Sequence, residues 1–188
     1  MSRPRIAALA VALAATACAT LGRPPGAPVP FDLSGRVLVS YDGRAFSSNL
    51  RWQHLPERDE LWLLTPLGQT LAQITATTEG ATVTGADHKR YHGADVEALT
   101  RQALGWELPV TRLQYWVRGE AAPGSVPQDV ERDAEGRISA LRQDEWRIKL
   151  ERYPADQHAG LPRRVDLDRG GNQSIRLVID AWRGEAAP

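Results

Sequence analysis

The sequence predicts a mainly β protein: about ten or eleven antiparallel strands curled into a barrel or half-barrel, with two amphipathic helices inserted midway. Three observations predict it. Apolar and polar residues alternate with a period of two from Phe31 onward and do so again up to Trp182. Turn signals at Asp42-Gly43, Pro66-Leu67-Gly68, Glu79-Gly80, Glu135-Gly136 and Gly170-Gly171 separate runs of strand length. A helical period replaces the alternation only between Asp95 and Gly119.

In the first run Phe31, Leu33, Val37, Val39 and Tyr41 alternate with Asp32, Ser34, Arg36 and Ser40, broken only by Leu38, as expected of a strand with one wet face. Asp42-Gly43 is the strongest short hairpin signal, and it returns the chain into Phe46, Ser48, Leu50 and Trp52. After a loop through Pro56, the apolar run Leu61-Trp62-Leu63-Leu64 forms the next strand. Pro66-Leu67-Gly68 turns it: Pro presets φ at the first central position and Gly suits the exit. Strands over Leu71 to Thr78 and Ala81 to Thr84 complete a meander.

Asp95 then suits a helix N-cap, Val96, Leu99, Ala103 and Leu104 share one face, and Gly105 stands at the C′ position. Pro109 opens a second helix with Leu113, Trp116 and Val117 as its apolar stripe, ended by Gly119. Past the loop Ala121 to Pro127, strands are expected over Val130 to Asp133, Arg137 to Arg142, Trp146 to Glu151, Arg164 to Asp168 and Ser174 to Trp182.

The 188 residues, 42% hydrophobic and 24% charged, suffice for one globular domain, read as 31–188. Twenty-three basic residues balance 23 acidic ones and no basic stripe exists, which points away from nucleic acid. A single cysteine rules out an intrachain disulfide and Cys-rich metal sites.

That cysteine, Cys18, explains the start of the chain. Arg3 and Arg5 precede the apolar run Ile6 to Ala15, too short for a comfortable membrane span, and small residues lead to Ala15-Thr16-Ala17-Cys18. Residues 1–17 read as a signal peptide. The ending resembles the lipobox of bacterial lipoproteins, although Ala15 stands where leucine is commonest; the resemblance implies cleavage before Cys18 and acylation of its thiol and new amine. Two or more acyl chains anchor stably where one does not. The mature chain would hold 171 residues, 21 basic and 23 acidic, for a net charge of −2. Residues 18–30, with Pro24, Pro25, Pro28 and Pro30, read as an extended tether. Ala19 follows the cysteine in place of the Asp that commonly retains bacterial lipoproteins at the inner membrane, so the resemblance implies an outer-membrane address.

Catalytic patterns are missing from the sequence. His88 and His92 have an i, i+4 spacing, but they fall near a strand-to-turn region and nothing completes a metal set. Asp144 and Glu145 are the kind of acidic neighbours that turns supply in number, and no phosphate loop or nucleophile elbow occurs. The residues therefore point to a protein that is not an enzyme and needs no cofactor or metal. Tryptophan is abundant instead. Trp52, Trp116 and Trp146 lie on apolar stripes, as core residues or as the lining of a cavity; the residues alone leave a filled and a hollow barrel both open.

One ordered series of motifs resembles the LolB family. It comprises Phe31-Asp32-Leu33-Ser34-Gly35-Arg36, Phe46, Leu50-Arg51-Trp52, Thr65-Pro66-Leu67-Gly68, Leu104-Gly105-Trp106-Glu107-Leu108-Pro109-Val110, Leu113, Tyr115-Trp116-Val117-Arg118-Gly119, Trp146, Tyr153, Pro162-Arg163-Arg164 and Trp182. The resemblance spans essentially the whole mature chain. It implies an incomplete antiparallel β-barrel of about eleven strands with a helical lid over a hydrophobic cavity, and a monomeric outer-membrane receptor, lipid-anchored and facing the periplasm. Such a receptor takes lipoproteins from the periplasmic carrier LolA by their acyl chains and releases them into the membrane. Expected cavity residues are Phe46, Leu50, Trp52, Leu61, Leu63, Leu113, Trp116, Trp146, Ile148 and Leu150. Pro66, Leu67 and Gly68 would form a membrane-insertion loop. The rival expectations are a lipid-anchored envelope scaffold with a filled barrel and an envelope hydrolase.

Overall fold

The computed structural model describes residues 29–151, 160–171 and 173–183. Strands β1 (Phe31–Tyr41), β2 (Arg44–Leu55), β3 (Arg58–Leu64), β4 (Thr70–Thr77), β5 (Gly80–Gly85) and β6 (Arg90–Gly93) form one antiparallel meander. Helices α1 (Val96–Leu104) and α2 (Val110–Trp116) follow. A second meander comprises β7 (Gln128–Arg132), β8 (Ile138–Gln143), β9 (Trp146–Glu151), β10 (Arg164–Asp168) and β11 (Gln173–Arg183). Pairing of β1 with β11 joins the two into an 11-stranded sheet of order β6-β5-β4-β3-β2-β1-β11-β10-β9-β8-β7.

The sheet does not close: β6 and β7 are its two edges. Because consecutive strands β6 and β7 sit at opposite edges, residues 94–127 must cross from one to the other, and they carry both helices. Strand β6 was not expected from the sequence. Its four residues include only one half-buried apolar side chain, Tyr91, and pairing to β5, with a 3.0 Å hydrogen bond between Thr82 Oγ1 and His92 Nδ1, defines it.

Period-two alternation becomes burial: in β1 Phe31, Leu33, Val37 and Val39 point inward, and in β9 Trp146, Ile148 and Leu150 do. The β1–β11 seam changes register between Ser34 and Gly35, and a Cβ at Gly35 would stand 2.1 Å from the Val178 carbonyl oxygen, so only glycine admits this approach.

Helix α1 begins at Asp95, whose carboxylate accepts from Ala98 N at 3.0 Å, and ends on Gly105 in the left-handed region, φ 86°. That amide bond holds the Asp95 carboxyl below its ordinary pKa. Helix α2 is shorter than the apolar stripe predicts: it ends at Trp116, and Val117 to Gly119 form the turn that follows.

Antiparallel connectivity also sorts the turns by end. The β1–β2, β3–β4, β5–β6, β8–β9 and β10–β11 turns lie at one end of the sheet. Val29, Pro30 and the start of β1 lie at the other.

Candidate apolar site beneath the helices

Inward side chains of β1, β2, β3 and β11 meet the helical segment in one apolar cluster. At its centre Val37, Leu50, Leu61, Leu63, Ile175 and Leu177 face Trp106, Leu108 and Leu113, and the free space among these nine residues is about 10 Å³. That is room for about one water at most. The concave face is therefore as apolar as expected, and among these nine residues the side chains of the covering segment leave almost no free space.

Of the ten expected cavity residues, Leu50, Leu61, Leu63 and Leu113 border this space. Phe46 is half-buried and packs on Trp106 with ring centroids 5.9 Å apart. Trp146, Ile148 and Leu150 are buried in the same cluster on β9. Trp52 and Trp116 are fully buried but each is held by a polar partner, which marks them as positioned side chains rather than free lining. Trp52 Nε1 donates to Asp59 at 2.7 Å, and Trp116 Nε1 donates to Gln143 at 2.9 Å.

Asp59 Oδ1 also lies 2.8 Å from His54 Nδ1, and Phe31 packs on both His54 and Trp52 at centroid distances of 4.9 and 5.0 Å. Gln143 satisfies all four of its amide positions. Its Oε1 accepts from Trp116 Nε1 and Ala122 N, both at 2.9 Å, while Nε2 donates to Ala122 O at 2.6 Å and Ser125 O at 3.0 Å.

The covering segment is tied down at its linker. Glu107, buried, is paired with Arg101 of α1 and with Arg169 of the β10–β11 turn, the latter at 2.7 Å. Burial alone would raise the Glu107 pKa, but hydrogen bonds from Arg101 and Arg169 outweigh it and hold the carboxyl below its usual range. Gln173 adds two bonds to the Glu107 backbone: Nε2 donates to its carbonyl at 2.5 Å and Oε1 accepts from its N–H at 3.4 Å. Glu97 joins the helices by accepting from Thr111 N at 3.0 Å and Thr111 Oγ1 at 2.6 Å, and burial pushes its pKa up.

The expected turn is formed as read. Gly68 N donates to Thr65 O at 2.9 Å, Thr65 N donates to Gln69 O at 2.8 Å, and Gly68 takes φ 82°. Leu67 at its tip is 89% exposed. His88 sits in a turn with φ 62° and His92 in β6; among the described residues no group of three or more His, Cys, Asp or Glu is placed to hold a metal ion. Cys18, most of the tether and Tyr153 lie outside the described residues.

Residues 29–182 match the family described as outer membrane lipoprotein LolB. The chain belongs to the LolB family. It is 39% identical over 186 residues to the outer-membrane lipoprotein LolB of Chromobacterium violaceum, covering 95% of this chain and 98% of that protein. With the LolB of Nitrosomonas europaea it shares 37% identity over 158 residues, 83% of this chain and 74% of that one.

Solved structures of the wider fold agree. A LolA-superfamily protein from Nitrosomonas europaea superposes with a TM-score of 0.51 at 9% identity, over 86% of this chain and 88% of that one. An outer-membrane lipoprotein-sorting protein domain from Vibrio parahaemolyticus does so with 0.53 at 7% identity, over 85% and 86%. At such identities the likeness concerns the fold alone. As a LolB-family protein the chain is a lipid-anchored protein of the outer membrane, in a family of lipoprotein transport rather than of known enzymes.

Proposed function

We propose that the chain is a receptor that accepts lipoproteins from a LolA-like periplasmic carrier, binds their acyl chains against the concave face of the sheet, and inserts them into the inner leaflet of the outer membrane. Residues 1–17 are removed as a signal peptide, Cys18 carries the acyl anchor, 18–30 tether the protein, and 31–188 form a single half-barrel domain that works as a periplasm-facing monomer without cofactor.

The observation that carries this reading is the apolar concave face of an open sheet, covered by a segment that pairs with no strand. Trp106, Leu108 and Leu113 occupy the space an acyl chain would take. In the proposed cycle the segment swings aside and the acyl chain replaces its side chains. Each buried CH₂ contributes about 0.8 kcal/mol, so a receptor slightly more apolar than the carrier draws cargo forward, and the bilayer draws it further. Leu67, exposed on its turn, is the proposed point of bilayer contact during release.

The small free volume among those nine residues favours a second reading, a lipid-anchored scaffold with a permanently filled barrel. One experiment separates them: mix the chain in proteoliposomes with a carrier loaded with lipoprotein and follow the cargo. Transfer supports the receptor; cargo retained by an active carrier refutes it. Leu67→Glu tests the insertion turn, with uptake from the carrier intact and delivery into membranes impaired as the expected result. Unchanged delivery removes Leu67 from the mechanism.

A further inference from the structure

Among the described residues two large apolar side chains stand far out of the surface, Leu67 at 89% exposure and Val126 at 82%. Other exposed apolar residues, Leu38, Leu55 and Val130, lie on strands and are only about two-fifths exposed, at 41%, 43% and 39%. Leu67 and Val126 instead sit on connections held in shape by their own hydrogen bonds. The first turn is closed by Thr65, Gly68 and Gln69. The loop around Val126 is fastened by Gln143 to Ala122 and Ser125, and by Arg112 to the Pro123 carbonyl, with Pro127 fixing φ just beyond.

Both lie at the same end of the sheet. Leu67 is on the β3–β4 turn. Val126 leads into β7 where Gln128 pairs with Arg142, beside the β8–β9 turn, and Arg169 of the β10–β11 turn reaches Glu145 of that turn at 2.7 Å. Across the sheet the two flank opposite sides: β3 and β4 belong to the half ending in edge β6, whereas β7 is the other edge.

We propose that Val126 is a second bilayer contact, and that the protein meets the membrane end-on, through Leu67 and Val126 together. This rests on the receptor reading with its anchor at Cys18. A lipid surface is the occupant these features fit: two separate apolar tips on opposite flanks need no matched pockets when the partner is a deformable apolar layer, and the chain is tethered to one.

Chain length agrees. The tether joins the domain at Phe31, the end of β1 remote from both tips. Thirteen steps from Cys18 to Phe31 reach at most about 43–47 Å. The 11 residues of β1 span about 33 Å, less when the strand is tilted. The tether is long enough to run the height of the domain and leave the opposite end on the bilayer.

The test uses the mature lipidated chain in vesicles of phosphatidylethanolamine and phosphatidylglycerol. With the Cys18 thiol acylated, Leu67→Cys, Val126→Cys and, as control at the opposite end, Ala134→Cys each supply one free thiol for an environment-sensitive fluorophore, read by quenching from nitroxide-labelled acyl chains. Quenching at 67 and 126 but not at 134 is the expected result. Quenching at 67 without 126 overturns the two-point contact and leaves the Leu67 reading standing. Quenching at 126 without 67, or at neither, overturns both. Deleting residues 21–28 leaves five steps, about 17 Å, too short to span the sheet, and quenching at both sites should be lost while thermal stability is kept. Undiminished quenching after the deletion overturns the end-on geometry.

Discussion

Replacing Gln143 by leucine keeps the side-chain volume and removes every hydrogen bond that the amide makes. Three of its partner groups are buried, Trp116 Nε1, Ala122 N and Ala122 O, and Ser125 O is only partly so. A buried polar group left without a partner costs about 1–3 kcal/mol, and the Ser125 carbonyl can turn to water, so the three buried groups set the cost of Gln143→Leu at about 3–9 kcal/mol. That is a large share of the roughly 5–15 kcal/mol that holds a domain together. A urea titration followed by tryptophan fluorescence reads the loss. At a slope of about 2 kcal/mol/M the midpoint falls by about 1.5–4.5 M. Trp116→Phe removes one of the orphaned donors, so the double variant should cost about 1–2 kcal/mol less than the sum of the singles. A midpoint that moves by less than about 0.3 M, or strict additivity with Trp116→Phe, would refute the assignment of Gln143 as the pin of this loop.

Three further outcomes are expected. Gly35→Ala drives a methyl into the Val178 carbonyl oxygen, 2.1 Å from the ideal Cβ, so the β1–β11 seam must shift; amide exchange should speed up along β1 and β11, and unchanged protection there would count against the close approach. Asp59→Ala strands Trp52 Nε1 and His54 Nδ1 in the interior and should lower stability by about 2–5 kcal/mol by urea titration, whereas a cost under about 1 kcal/mol would show that water reaches both. Glu107 has a pKa lowered by folding, so its contribution is complete above the unfolded carboxylate value and is lost as pH falls through the lower folded one. Glu107→Gln should therefore be less stable than the parent at pH 7, with the gap closing below about pH 4; a gap independent of pH would refute the ion-pair account.

The hairpins and helix caps were legible because each rests on local chemistry: Asp42-Gly43, the Asp95 cap and the Gly105 stop all stand where the sequence puts them. Strand β6 was not, because Arg90 to Gly93 has no apolar alternation and exists through its neighbour β5. Trp106 and Leu108, which fill the centre of the site, lie in a linker with no period to reveal which way they face. The buried polar residues were missed although the sequence carried a signal. His54 has the same strand parity as Leu50 and Trp52, Asp59 that of Leu61 and Leu63, and Gln143 that of Leu141; each belongs on the inner face by position alone. Their polarity and the nearby Pro56-Glu57 and Asp144-Glu145 turns mask that parity.

On the proposed receptor reading, Trp106, Leu108 and Leu113 are the resting cover of the apolar face made by Val37, Leu50, Leu61, Leu63, Ile175 and Leu177. An empty apolar trough under solvent would be costly, and about 25 cal/mol per Å² of apolar surface favours covering it. The cover is made by residues 94–127, which lie between the two sheet edges and add no rung to the ladder, so lifting them leaves all 11 strands paired. The side chains that leave, Trp106, Leu108 and Leu113, are of the same apolar kind as the acyl chain that would replace them. Loading then exchanges one apolar contact for another, and its net free energy is a small difference between similar terms. The polar ties of the segment to the rest of the domain are those of Glu107 with Arg169 and Gln173, of Arg112 with Asp144, of Arg118 with the Val29 carbonyl, and of Gln143 with Trp116, Ala122 and Ser125, so the part whose release breaks fewest of them is the linker that carries Trp106 and Leu108. A near-balanced exchange is also what permits release, because a trough that gained much from its cargo would keep it.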